Sequence, residues 1–283
     1  MNKILKKDLE KICYNSNINF EEFNEKTFLV TGATGLIGFS IIASMLYYGT
    51  DKEKGPIIYA LVRDIAKAKE MYREFDTSKL IFIVGDVCES ISIDANIDYI
   101  IHGASQTMSK AFVDSPVETI YTSFFGTDNL LRLARQKKVK GFIYLSSMEV
   151  YGAPADDVKI NEMSETNLNT MATRSCYPES KRMCENLCSS YFAEYGVPAK
   201  VVRLTQTFGP GVQYNDRRVF AEFARCAIEG RDIILHTMGE TKRNYLYTAD
   251  AVTAILTVLT LGKPGEAYNA ANENTYCSIM KMA

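Results

Sequence analysis

Histidine is nearly absent from this chain of 283 residues: two copies stand against seven cysteines, and no Cys-x-x-Cys pair occurs. The usual zinc frameworks need clustered thiols and imidazoles, so no metal site is expected. An odd number of scattered cysteines also argues against a disulfide scaffold. Cys176, and Cys184 with Cys188 one turn further on, read as buried reduced thiols. Excess positive charge is missing too: the formal charge is −2 and the pI about 5.9, which leaves no footprint for nucleic acid. The longest apolar run near the end, Ala251 to Gly262, falls well short of the ~20 residues that span a bilayer. Lys3, Lys6, Lys7, Asp8, Glu10 and Lys11 charge the N-terminus throughout, unlike a secretory signal. A soluble, cytoplasmic protein with no membrane partner is the expectation. Internal repeats and low-complexity segments are absent as well.

What is present is alternation. Short apolar runs at Thr27–Thr31, Ile57–Arg63, Leu80–Gly85, Ile97–His102, Gly141–Ser146 and Ala199–Leu204 are separated by helical patterns. Those helices fall around Leu36–Tyr48, Asp64–Phe75, Val117–Lys138 and Tyr177–Tyr195. Continuous apolar strands divided by helices imply an α/β, doubly wound parallel sheet covered on both faces. Ligands of such sheets bind beyond the carboxyl ends of the strands. Residues 1–25 read as an N-terminal helical extension with Ile4, Leu9, Ile12 and Cys13 on one stripe. Residues 26–205 read as the main domain, and 206–283 as a smaller C-terminal lobe with segments that complete the sheet.

Two runs carry chemistry. Thr31-Gly32-Ala33-Thr34-Gly35-Leu36-Ile37-Gly38 is a glycine-rich turn from strand to helix, where missing side chains admit a dinucleotide pyrophosphate to the helix N-terminus. Tyr177-Pro178-Glu179-Ser180-Lys181 places a phenol and an ammonium one helical turn apart on one face. A lysine cation beside a tyrosine favours the phenolate, so the tyrosine acts as a base near neutral pH. Either run alone is weak, since a glycine triplet also makes ordinary turns and a four-residue Tyr/Lys spacing arises by chance.

Further landmarks follow in order: Asp86-Val87, His102-Gly103-Ala104-Ser105, Ser146-Ser147-Met148-Glu149-Val150-Tyr151-Gly152, Arg203, Gly209-Pro210-Gly211, Arg243-Asn244-Tyr245 and Asp250. From about Lys26 onward the chain resembles the extended short-chain dehydrogenases/reductases, the NAD-dependent epimerase/dehydratase family that modifies nucleotide sugars. The resemblance implies a Rossmann sheet and a cofactor site of Gly32, Thr34, Gly35, Leu36, Ile37, Gly38, Arg63, Asp86, Val87, Ala104, Ser105 and Lys181. Asp86 and Val87 match positions that hold the adenine, while Ala104 and Ser105 flank the nicotinamide ribose. Arg63 with Lys69 resembles the grip on a 2′-phosphate in NADP enzymes; family habit and Asp64 point to NAD. The cofactor is therefore NAD or NADP, with both open.

The same resemblance implies a catalytic set of Tyr177, Lys181, Ser147 and Glu149, with oxidation of a sugar at C4. Gln206 and Arg243 match substrate-binding positions, Arg243 for the diphosphate. Met148 stands where 4,6-dehydratases carry an acid, and a thioether has no proton to give. Ser123 and Gln206 replace asparagines usual in the family. The long segment between Ser147 and Tyr177 suits a substrate-contacting insertion. The leading expectation is a homodimeric epimerase of a nucleotide-diphosphate sugar for surface polysaccharide. A 4,6-dehydratase, a uronic-acid decarboxylase or an NADP-dependent 4-ketosugar reductase stands behind it. A non-catalytic dinucleotide sensor and an inactive fragment are the other classes. The family continues past Ala267-Tyr268-Asn269-Ala270-Ala271, so a lobe truncated at Ala283 is expected.

Overall fold

The computed structural model describes residues 1–50, 54–153 and 157–283; residues 154–156 of the insertion after Ser147 lie outside the described residues. The first half runs α1 (Lys3–Cys13), β1 (Thr27–Thr31), α2 (Leu36–Gly49), β2 (Ile57–Val62), α3 (Ile65–Tyr72), β3 (Leu80–Val84) and β4 (Tyr99–His102). Then come α4 (Ala111–Asp114), α5 (Pro116–Lys137), β5 (Gly141–Ser147), α6 (Cys176–Tyr195) and β6 (Ala199–Leu204). The remainder is β7 (Gln206–Phe208), α7 (Val219–Glu229), β8 (Lys242–Arg243), β9 (Tyr245–Tyr247), α8 (Thr248–Leu261), β10 (Ala267–Ala270) and β11 (Cys277–Ser278).

Seven strands form one parallel sheet in the order β10-β6-β5-β4-β1-β2-β3. The order reverses between β1 and β4, and that reversal opens a crevice at the carboxyl ends. Side chains alternate between two apolar layers, as the period of a strand requires. Phe28, Val30, Ile58, Ala60, Ile143 and Val202 face one layer, covered by α1, α2 and α8. Leu29, Leu61, Ile100, Phe142, Tyr144 and Val201 face the other, covered by α5 and α6. The smaller lobe holds a parallel pair, β7 with β9, and an antiparallel pair, β8 with β11. From it α8 and β10 return to the main sheet, where Val252, Ile255, Leu256 and Leu259 are buried. No described helix is long and apolar enough to cross a membrane.

Two local expectations change. β4 begins at Tyr99 rather than Ile97; just before it, Asp98 donates its N–H to the Thr27 carbonyl at 2.9 Å and its carbonyl accepts the Lys140 N–H at 2.7 Å, while its carboxylate accepts the Thr27 N–H at 3.0 Å and pairs with Lys140 at 2.8 Å. In α1, Leu9, Ile12 and Cys13 are buried and Leu5 packs against the same core, but Ile4 is 60% exposed, so the stripe passes through Leu5 and leaves Ile4 beside it. Asn2 caps this helix by accepting the Ile4 N–H at 2.8 Å. The helix is fastened at both sides: Tyr247 Oη donates to Asp8 at 2.7 Å, Tyr47 Oη to Glu10 at 3.1 Å, and Lys11 pairs with Asp250 at 2.7 Å.

Ile12→Ala should therefore destabilise the whole protein by about 2–5 kcal/mol, while Ile4→Ala stays within about 0.5 kcal/mol. Urea unfolding of the two variants checks it; equal effects would detach α1 from the core.

Candidate active site

The turn between β1 and α2 is shaped for close backbone approach. Gly32 has φ +70°, and a Cβ there would lie 2.7 Å from the Gly103 carbonyl carbon. A Cβ on Gly38 would lie 2.2 Å from the Gly32 oxygen, so the helix can start this near the strand only with glycine. Gly35 precedes α2 without a side-chain cap, and the first turn carries no acidic residue. Orphan N–H groups with the positive end of a helix dipole suit a phosphate. The residues present thus fit a dinucleotide pyrophosphate, with Thr34, Leu36 and Ile37 lining the same turn.

The flanking positions are fixed individually. The Val87 carbonyl accepts from Asn129 Nδ2 at 3.1 Å, and Val87 packs so tightly on Gly126 that a Cβ there would meet it at 2.8 Å. Asp86 Oδ1 accepts the Cys88 N–H at 2.8 Å. Ala104 N donates to Thr31 Oγ1 at 3.2 Å, and Ser105 Oγ to the Gln106 carbonyl at 3.3 Å. Arg63 is exposed just beyond β2, and Lys69 is exposed in the last turn of α3. Asp64 is the N-cap of α3, accepting the Lys67 N–H at 2.9 Å. Its carboxylate serves the helix, which weakens the expectation that it reaches a ribose hydroxyl.

At the carboxyl end of β5 the catalytic candidates gather. Ser147 Oγ caps a 3-10 turn over Met148–Tyr151 by accepting the Glu149 N–H at 3.2 Å. Tyr177 and Lys181, on the first turns of α6, are 8% and 4% exposed. Lys181 Nζ donates to the Leu145 carbonyl at 2.8 Å and lies 5.7 Å from the Tyr177 ring centroid. Burial pulls Lys181 down to about 8, partly offset by Cys184, Glu185 and Cys188. Burial pushes Tyr177 up to about 12, and Glu149 adds to the rise; Ser147 and Arg174 pull the other way. The expected phenolate is thus not favoured by the protein alone, because the lysine amine is aimed at β5 and desolvation dominates.

Residues outside the sequence motifs complete the site. Arg174 Nη2 donates to Glu149 Oε2 at 2.9 Å. Phe112 stacks on Tyr177 with centroids 4.4 Å apart and planes 14° from parallel. Neither residue had a signal in the sequence, since a lone arginine in a loop and a phenylalanine on a single helical turn belong to no period. Behind them, Glu185 accepts from Ser146 Oγ at 2.5 Å and from Arg203 Nη2 at 2.6 Å, and Arg203 Nη1 donates to Tyr151 Oη at 2.7 Å. His102 is buried between Thr31 and Thr127, at 2.8 and 3.2 Å, and burial with nearby Lys181 lowers it to about 3. It is a neutral, structural imidazole.

Gln206 begins β7 opposite Tyr245 of β9, two residues after Arg243. Arg243 is exposed, its Nη1 donating to the Lys242 carbonyl at 2.8 Å. Among the described residues, no hydrogen bond or ion pair joins Gln206 or Arg243 to Tyr177, Lys181, Ser147 or Glu149.

A glycine turn under a switch-point crevice, with a Tyr–Lys pair at the adjoining strand end, defines the class of dinucleotide-dependent enzymes built on a doubly wound sheet. The model of the NAD dependent epimerase/dehydratase family matches residues 28–271. The chain belongs to that family, within the extended short-chain dehydrogenases/reductases. It is 32% identical to the dTDP-D-glucose 4,6-dehydratase of Mus musculus over 264 residues, covering 91% of this chain and 71% of the relative. It is 28% identical to UDP-glucuronic acid decarboxylase 1 of Xenopus tropicalis over 241 residues, 84% of this chain and 54% of the relative. The fold matches that of DesIV, a dTDP-glucose 4,6-dehydratase of Streptomyces venezuelae solved with NAD, at TM-score 0.75 and 20% identity, over 90% of this chain and 78% of that one.

Arg203→Met should cost about 3–5 kcal/mol, because it leaves Glu185 charged and desolvated. The side chains are only 14% and 11% exposed. Pairing Arg203→Met with Glu185→Leu should recover most of the loss in chemical denaturation. Additive losses would show that the pair itself contributes little.

Proposed function

We propose that this chain epimerises a nucleoside-diphosphate sugar through a transient ketone at C4. The observation that carries the reading is the pair of residues after Ser147. Glu149 is kept and paired with Arg174, whereas Met148 offers no proton for a leaving hydroxyl. The dinucleotide, when bound, supplies a reversible hydride acceptor for C4. Gly32, Gly35 and Gly38 with the N-terminus of α2 would hold its pyrophosphate, and Lys181 its ribose hydroxyls. Tyr177 Oη takes the C4 hydroxyl proton as a general base, and Ser147 Oγ donates to the same oxygen as the carbonyl forms. A ketone acidifies the neighbouring C–H, and the Glu149 carboxylate is the base for that proton. Arg243 is assigned to the diphosphate, where a guanidinium makes two parallel bonds, and Gln206 to the sugar. Glutamate retention equally suits a decarboxylase of a nucleotide uronic acid, which is the second reading; a 4,6-dehydratase and a 4-ketosugar reductase rank behind.

A homodimer belongs to the same reading. Val117, Tyr121 and Phe125 recur every four residues as an exposed apolar stripe on α5.

In D₂O with the correct sugar nucleotide, the proposal expects deuterium at C5 or C3, lost in Glu149→Gln. Tyr177→Phe should lower turnover about 10²–10⁴-fold with dinucleotide affinity nearly unchanged. Unlabelled product with inverted C4 would make Glu149 structural, and a new methyl signal would reveal 6-dehydration instead.

The cofactor variant is proposed from exposure: Arg63 stands free beyond β2 while Asp64 caps α3. We assign NADP on that ground. Arg63→Ala should then weaken NADP far more than NAD in calorimetry, and equal losses would return the preference to NAD.

A further inference from the structure

Arg174 lies in a 3-10 turn, Thr173–Ser175, that runs directly into α6. Its backbone is pinned, because Ser175 is buried and its Oγ donates to the Asn169 carbonyl at 2.7 Å. From that anchor the side chain makes two kinds of contact. One guanidinium nitrogen holds Glu149 at 2.9 Å, and the guanidinium carbon sits 4.6 Å from the Phe112 ring centroid. The Phe112 ring stacks on Tyr177, and its carbonyl accepts from Cys176 Sγ at 3.3 Å. Three positions of one short run, Arg174, Cys176 and Tyr177, thus clamp Phe112 of α4. The same run fixes Glu149, which is only about one-third exposed on a different element.

We propose that Arg174 is a positioning residue that sets Glu149 and Tyr177 in one frame, holding the carboxylate with one guanidinium nitrogen while the guanidinium sits over the Phe112 ring. The role given to Glu149 rests on the reading above. A carboxylate on a 3-10 turn and a phenol on a helix have no covalent reason to stay aligned. A base works only when held over one C–H, and misplacement by about 1 Å costs on the order of 10²-fold. A planar guanidinium meets both demands at once, a hydrogen bond in its plane and an aromatic ring against its face. A lysine supplies the charge without the plane.

The groups that face Tyr177 are few. The turn after β5 brings Glu149, β5 itself Ser147 and Tyr144, the 3-10 turn Arg174, and α6 Cys176 and Lys181. From α4 comes only the Phe112 ring, since Lys110 and Asp114 pair with each other at 3.7 Å on the surface. Arg174 lowers the tyrosine and Glu149 raises it, so their removal gives opposite signs.

The test uses protein carrying ¹³Cζ-tyrosine, run with NADP and again with NAD present, Tyr177 being assigned by Tyr177→Phe. Titration of Tyr177 should move to higher pH in Arg174→Met, to lower pH in Glu149→Gln, and back toward wild type in Arg174→Lys. An arginine that merely packs on Phe112 predicts no movement in the Met variant, and that result overturns the proposal. In D₂O with UDP-glucose, UDP-glucuronate and dTDP-glucose as probes, Arg174→Met should slow exchange at the C–H beside the ketone roughly 10–100-fold with little change in KM. In a Glu149→Gln background it should add nothing; multiplied losses would count against the frame. Activity retained in Tyr177→Phe would defeat the reaction assigned above, while the titration would still decide the place of Arg174.

Discussion

The ion pair between Glu185 and Arg203 is the constraint on which the site depends. It joins α6 to β6 across the carboxyl end of the sheet, and each side chain is more than four-fifths buried. Taking two charges out of water costs several kcal/mol per ion, offset only when every donor and lone pair finds a partner. Here they do. Arg203 meets both Glu185 oxygens, Tyr151 Oη and the Glu162 carbonyl, while Glu185 also accepts from Ser146. Burial works against the guanidinium charge, yet the Glu185 bonds outweigh it and raise Arg203 further above its ordinary value. Glu185 lies one turn beyond Lys181, so fastening it fixes the rotation of α6 and the height of Tyr177 over β5.

The same burial that makes the frame rigid sets its electrostatics. A desolvated phenol resists ionisation, and a desolvated ammonium gives up its proton more readily, so the two values move apart, the phenol up to about 12 and the ammonium down to about 8. Without ligand, the pair holds its protons at neutral pH. A cation placed beside the phenol, or a hydroxyl that draws Lys181 away from the Leu145 carbonyl, alters that balance. The resting site is positioned for proton transfer but not yet charged for it. This differs from the simple expectation of a lysine activating its neighbour, and the reason is direction: the amine points at β5.

Much of the architecture was legible because it is periodic. Apolar runs separated by helical patterns specify a parallel sheet, and the structure places a strand at each of them. The glycine turn was legible for a different reason, since Gly32 and Gly38 answer backbone clashes that any other residue would suffer. Ile4 was misjudged because helical spacing leaves two neighbouring positions, Ile4 and Leu5, as candidates for the stripe, and it is Leu5 that packs on the core. Asp64 looked available for a ribose because its capping of α3 depends on local backbone geometry. Arg174, Phe112 and Glu185 were invisible for a stronger reason. Their partners lie 18 to 65 positions away in the chain, and nothing in a single sequence brings them together.

The pairing of Met148 with Glu149 narrows the chemistry further when counted in protons. Loss of a hydroxyl from C6 requires a donor for the departing oxygen as well as an acceptor for the C5 proton, and the thioether removes the donor. Inversion at C4 requires one group that takes a proton and returns it, which Tyr177 can do alone. Glu149 is then a surplus acceptor, and a surplus carboxylate beside a buried phenol is unfavourable, because it raises the phenol further. Arg174 compensates that charge at 2.9 Å, so the carboxylate is tolerated rather than expelled. A site that keeps a surplus acid together with its own counter-ion is arranged around the carboxylate. Under the reaction proposed above, proton removal beside the ketone is the step in which a second acceptor is useful, and the deuterium test separates it from simple inversion at C4.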